Sequence, residues 1–187
     1  MENGDRPAGP VFYLVTSLIL VLDQLTKKWI VDSMFRGESR EVLGSFFRLT
    51  YVHNDGAAFG LDLGGRWSFI VVTILVVAFI LFYYTRSERT ITARWALALI
   101  LGGALGNLAD RIRIGEVVDF LHLSLGGLSW PIFNIADIGV SVGVALLAIH
   151  LLRRDHSEHD SEESGDVHDG DTPDSPHHPA REERRAS

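Results

Sequence analysis

WSFIVVTILVVAFILFYY, residues 67–84, contains no Asp, Glu, Lys, Arg or His and closes on a tyrosine pair. A helix needs about 20 mostly apolar residues to cross hydrocarbon, and paired tyrosines suit the headgroup boundary. Working outward, three more apolar stretches occupy 11–31, 93–109 and 131–152. The overall 47% hydrophobic content would fit a soluble core as well; its gathering into four blocks does not, and four membrane-spanning helices are expected. The first block differs from a cleaved leader: residues 1–10 carry Glu2 and Asp5 beside a single Arg6, and no small-residue cleavage site follows. A retained anchor is expected.

The formal net charge of −7 belongs to the C-terminal end. Residues 155–187 hold eleven acids against three arginines, a net −8; the rest holds thirteen acids against fourteen bases, a net +1. That tail, rich in Ser, Asp, Glu, His, Pro and Gly, has almost nothing to bury against the entropy of ordering and is expected to be disordered. The division expected is a four-helix membrane domain over 1–154 and a disordered acidic tail over 155–187. Five of the eight histidines, His156, His159, His168, His177 and His178, lie in the tail without a rigid frame, which favours a solvated segment over a metal site. Cysteine is absent, which removes disulfides and thiolate nucleophiles.

Four spans put both termini on one side and the long connections, 32–66 and 112–130, on the other. The short connection, 85–92, carries Arg86 and Arg89, Arg94 follows, and Arg153 and Arg154 close the fourth span, which points to cytoplasmic termini. Lys27, Lys28, Arg36, Arg40, Arg48 and Arg66 pull the other way. Phe47, Leu49 and Tyr51 alternate with Arg48, Thr50 and Val52, the period of a strand, and Asn54, Asp55 and Gly56 make a turn. VVDFLHLSL, residues 117–125, followed by Gly126 and Gly127, reads as a second strand and turn. The fold class is therefore an α-helical membrane protein with four transmembrane helices, a small extracytoplasmic β-sheet and a disordered C-terminal tail.

Polar groups within spans are costly and face a bundle interior or wet cavity. Asp23 lies near the far end of the first span, Asn107, Asp110 and Arg111 end the third, and Asn134 and Asp137 begin the fourth. All lie toward the two long connections, which hold Asn54 and Asp119. Spacings of three and four put Asn107 with Asp110 and Arg111, and Asn134 with Asp137, on shared helix faces. Asp137 lies about 5 residues into its span, or roughly 7 to 8 Å deep at 1.5 Å per residue. Two carboxylates sharing one water are aspartic-protease chemistry: one takes the water's proton, while the other, protonated, donates to a carbonyl. Arg111 suits an ion pair with Asp110 or the positioning of a substrate backbone. Bottom-up reading leaves Asp23, Asp110, Asp119 and Asp137 as candidates and does not choose among them.

LDQLTK from Leu22, YVHNDGAAFG from Tyr51, GNLADRI from Gly106, VVDF from Val117 and FNIAD from Phe133 together resemble the ordered motifs of the lipoprotein signal peptidases, or type II signal peptidases, over residues 11–152. The resemblance implies that Asp119 and Asp137 are the catalytic pair, and that Asp23, Asn54, Gly56, Asn107, Asp110, Arg111, Asn134 and Ala136 support the pair, substrate and site. It implies a prolipoprotein substrate bearing a diacylglyceryl-modified cysteine, cut on the amino side of that cysteine. By the same resemblance the protein is a multi-pass enzyme of the bacterial cytoplasmic membrane, with cytoplasmic termini and an extracytoplasmic site. No cofactor or metal, membrane lipid as surroundings, a monomeric state and no nucleic-acid partner are expected. GGALG, with Gly102 and Gly106 four apart, fits close helix packing, and His53, His122 and His150 read as structural. An ion or proton carrier would continue its polar path toward the other membrane face, and a scaffold would not converge Asp and Asn on one side.

Overall fold

In the segment rich in Val and Ile that decides the fold, β-branched side chains would favour a strand in water. A lone strand in hydrocarbon leaves its backbone unpaired, whereas a helix satisfies its own. The computed structural model, which describes residues 10–56, 65–86 and 90–165, accordingly has α1 (Pro10–Ser33), β1 (Ser39–Leu43), β2 (Phe47–Asn54), α2 (Gly65–Arg86), α3 (Ile91–Arg113), β3 (Val117–Leu125), β4 (Leu128–Ser129) and α4 (Ile135–Gly165). Among the described residues four helices are long and apolar enough to span a membrane.

The strands form one antiparallel sheet ordered β1-β2-β3-β4. Since β2 and β3 come from the two long connections, their pairing puts those connections, and the helix ends that feed them, on the same side. β3 spans the expected residues, and β2 runs two residues past its expected alternation to Asn54. β1 and β4 were not anticipated. The fourth helix also starts later than its apolar stretch: Phe133 exchanges backbone hydrogen bonds with Leu121 (3.1 and 2.8 Å), so residues 131–134 extend along β3 before α4 begins at Ile135. Asp137 is thus the third residue of its helix, shallower than a start at Pro131 implies.

Small residues set the helix spacing around α3. A Cβ at Gly102 would lie 2.8 Å from the Thr16 carbonyl oxygen of α1, and one at Gly103 would run into the Ala136 carbonyl oxygen of α4, as expected for a packing role. One core joins Phe12, Val15, Ile80, Tyr84, Leu97 and Leu101; another, Ile30, Met34, Tyr51, Val118 and Phe120, seats the sheet on the end of α1. The opposite helix faces expose Leu14, Leu18, Leu25, Val71, Leu75, Phe79 and Val144, apolar surface that lipid solvates and water does not.

The chain divides into two units, Met1–Leu151 and Leu152–Ser187. Helix α4 continues to Gly165, past the expected boundary at 154; extending a helix already nucleated costs far less than starting one. The tail expected to be disordered lies, from residue 166 onward, outside the described residues.

Candidate active site

Asn134 is the N-cap of α4, and Asp137 is its N3 residue. Asp137 donates its backbone N–H to Asn134 Oδ1 (3.0 Å), while Asn134 returns its own to Asp137 Oδ2 (3.1 Å). This is a capping box with aspartate in the place usually held by Glu or Gln. The box fixes the Asp137 side chain and leaves the Asn134 amide nitrogen free to point elsewhere. Asn134 Nδ2 donates to Asp119 Oδ1 at 2.6 Å. One asparagine therefore contacts both candidate acids, Asp119 from β3 and Asp137 from α4.

Each acid also takes a second amide. Asn54 Nδ2 donates to Asp119 Oδ2 (2.9 Å), and Gly56 N–H donates to Asn54 Oδ1 (2.9 Å), which settles the way the Asn54 amide faces. Gly56 holds φ +88°, a left-handed conformation that glycine adopts without strain. A bulge between Leu49 and Val52 shifts the β2 register ahead of this turn, re-aiming the strand as bulges do. Asn107 Nδ2 donates to Asp137 Oδ1 (2.9 Å), and its Oδ1 accepts from Asn134 Nδ2 (3.1 Å).

Behind this layer lies a group the sequence reading passed over. Lys27 is 2% exposed, and its ammonium donates to Asp23 Oδ2 (2.9 Å), Asp110 Oδ2 (2.8 Å) and Asn107 Oδ1 (2.9 Å). An ammonium has three donors and no acceptor, so Asn107 must present its oxygen here and its nitrogen to Asp137. Asp23 Oδ1 accepts the Ala136 N–H (3.0 Å), satisfying another first-turn amide of α4; Gly106 makes room for it, since a Cβ there would lie 2.5 Å from Asp23 Oδ2. Asp110 accepts the Val118 N–H (3.3 Å) one residue before Asp119. The spacing that could have revealed Lys27 is Asp23 to Lys27, i to i+4 on one helix.

Of the two roles open to Arg111, the ion pair with Asp110 does not form among the described residues. Asp110 pairs with Lys27 and with Arg113 (2.9 Å), and Gln24 bridges Asp23 and Asp110. Neighbouring helix residues point about 100° apart, and Arg111 turns instead to a cavity of about 290 Å³ lined by α2, α3 and α4. Asn107, Arg111 and Asp137 form its polar end; Val72, Val76, Ile100 and Val140 line most of the rest, with the hydroxyl-bearing Thr73 and Ser141 among them. Asn107 and Arg111 thus share a cavity, as their spacing suggested, and Asp110 does not join them.

Burial, opposed by the Asn54 amide and reinforced by the Asp137 charge, raises the Asp119 carboxyl from 3.8 to about 6. A buried acid that holds its proton near neutrality beside a second carboxylate can act as an acid while its neighbour acts as a base. Both histidines near the site are bound elsewhere: His53 to Tyr51 and Glu116, His122 to Thr50 and Ser129. Among the described residues no three His, Asp or Glu are grouped as metal ligands would be.

Residues 15–153 match the family model described as Signal peptidase (SPase) II. The chain is 49% identical over 143 residues to the lipoprotein signal peptidase of Moorella thermoacetica, covering 75% of this chain and 92% of that protein. It is 41% identical over 145 residues to that of Bacillus subtilis, covering 76% and 93%. Among solved structures it resembles a bacterial membrane enzyme determined by the in meso method at 1.9 Å resolution, with TM-score 0.72, 36% identity, and coverage of 76% of this chain and 92% of that one.

Proposed function

This chain belongs to the signal peptidase II family of membrane proteases, and from that premise we propose that Asp119 and Asp137 together cleave the signal peptides of diacylglyceryl-modified prolipoproteins. The observation that supports this reading is Asn134, hydrogen-bonded to both carboxyl groups, one of which, that of Asp137, lines a mostly apolar groove.

Asp119, with its raised pKa, holds the proton, and Asp137 is the ionised partner. A water between them gives its proton to Asp137 as its oxygen attacks the scissile carbonyl carbon, and Asp119 protonates the carbonyl oxygen. In the resulting diol the carbon–nitrogen bond breaks as the leaving nitrogen takes the proton held by Asp137, and a diol hydroxyl returns a proton to Asp119. The products are a carboxylic acid and an amine, and both acids regain their starting states. Asn54, Asn107 and Asn134 orient the carboxyls; Asp23, Asp110, Gly56 and Ala136 hold the elements that carry them; Arg111 addresses substrate.

The apolar floor of the groove suits a signal-peptide helix, and its polar end suits the scissile bond on the amino side of the lipidated cysteine, with the acyl chains left in lipid. Arginines at the short connection and after the fourth span support cytoplasmic termini and an extracytoplasmic site in a bacterial inner membrane, where the enzyme works as a monomer. The test is cleavage of a diacylglyceryl-modified prolipoprotein by wild type, Asp119→Asn and Asp137→Asn at matched membrane levels. Each variant is expected to fold and to lose about 10³-fold or more in rate; near-wild-type cleavage by either removes the dyad.

A further inference from the structure

Arg111 is half-buried at the polar end of the groove, yet among the described residues its guanidinium makes no hydrogen bond. What fixes it is an aromatic ring: its Cζ lies 5.1 Å from the ring centroid of Phe69, one turn into α2. That ring is itself confined. A Cβ on Gly56 would lie 2.5, 2.7 and 2.9 Å from Cε2, Cζ and Cδ2 of Phe69, so the turn backbone sits directly on the ring and only glycine leaves the space. Gly56 is the residue whose N–H orients Asn54, which in turn holds Asp119. A continuous path runs from Asp119 through Asn54, Gly56 and Phe69 to Arg111.

We propose that Phe69 is a positioning residue: through a cation–π contact it holds the Arg111 guanidinium at the groove mouth with its N–H donors unspent, so that they bind backbone carbonyls of the extended substrate beside the scissile bond. A planar guanidinium stacks on a ring and still presents donors at its edge, which an ammonium on a flexible stem does not do. Carboxylates alone would not suffice to hold it ready, because a hydrogen-bonded carboxylate would consume the donors. The inference rests on the dyad reading, since it places substrate relative to Asp119 and Asp137.

The experiment is a double-mutant cycle on cleavage of a diacylglyceryl-modified prolipoprotein, using wild type, Phe69→Leu, Arg111→Gln and the pair, with Phe69→Tyr alongside. A cation–π contact of ordinary strength corresponds to roughly 2- to 30-fold in binding. Phe69→Leu is expected to raise KM by that factor with a smaller change in kcat, and Phe69→Tyr, which keeps the π face, to restore most of it. In the Arg111→Gln background Phe69→Leu is expected to change kcat/KM no further. A Leu effect of the same size in both backgrounds, a Tyr variant no better than Leu, or an unchanged KM would each overturn the proposal. Should Phe69→Leu melt early in detergent, Phe69→Met takes its place in the cycle. Failure of the dyad reading looks different: Asp119→Asn or Asp137→Asn would then retain cleavage, whatever the cycle gives.

Discussion

A carboxyl group with a pKa of about 6 changes its charge where a pH profile can follow it. Asp119 titrates at 3.8 when unperturbed and at about 6 in the fold, so its stabilising contribution is complete below about pH 4 and is lost as pH rises through 6. The same titration limits catalysis if Asp119 must donate a proton. Because kcat/KM reports the free enzyme, its alkaline limb is expected to begin near pH 6 and to fall about tenfold per unit above it. A profile flat from pH 5.5 to 8.5 would remove Asp119 as the acid. Not every residue role could be read from the chain. Asp119, Asp137, Asn54 and Asn134 stand out as polar residues at span ends or in the long connections, which makes them candidates, and only the resemblance of their motifs singles out a pair. Lys27 is harder to read, because a lysine near a span end ordinarily reaches for the headgroups; its i to i+4 spacing from Asp23 hints at one partner, and only the fold brings in Asp110 from another helix. The partner of Asp110 shows the same limit: adjacency in sequence offers Arg111 as one alternative, and helix geometry brings Lys27 and Arg113 instead.

At the level of elements, the start of α4 does two jobs with one residue. Asn134 caps the helix through Oδ1 and reaches Asp119 through Nδ2, and substitution can separate them. Alanine removes both and is expected to cost about 1 kcal/mol as a lost cap together with about 10²-fold in cleavage through misplaced acids. Serine can still accept the Asp137 N–H but has no amide to extend, so Asn134→Ser should recover most of the melting temperature and little of the activity. Recovery of both by serine would show that only the cap matters. The strands show where pattern reading stops. β2 and β3 carry alternation or an apolar run with a turn behind it, whereas β1, SREVL, is exposed along its whole length, and β4 is two residues long. Such edge strands owe their existence to the partner they pair with, and nothing in their own composition announces it. Residues 131–134 were apolar enough to count as helix, but a proline and the open edge of β3 claimed them first.

The molecule as a whole is held, at the end that carries Asp119 and Asp137, by a charge cluster that no single helix owns. Lys27 of α1 binds Asp110 and Asn107 of α3, and Asp23 of α1 binds the α4 backbone at Ala136. With Arg113 on Asp110, two cations face two anions, and the ammonium and both carboxylates are almost wholly buried. Removing one member of such a cluster strands the opposite charge in a medium that cannot solvate it, which typically costs 3 to 5 kcal/mol. Exposed pairs behave otherwise: water already solvates both ions, and their attraction is worth about 0.5 kcal/mol on a helix. The chain supplies both cases side by side. Lys28, next to Lys27, pairs with Asp32 at the same 2.8 Å that separates Lys27 from Asp110, but with side-chain exposures of 73% and 58% against 2% and 2%. Lys27→Met and Lys28→Met therefore make one chemical change at adjacent positions and differ in burial and in the number of partners lost. Thermal unfolding of the two purified variants in the same detergent should find Lys28→Met within a degree or two of wild type and Lys27→Met far below it. Adding Asp23→Asn to Lys27→Met removes the charge left unbalanced and should return part of the loss. Equal melting temperatures for the two single variants would mean that the buried ammonium contributes nothing beyond its hydrocarbon stem.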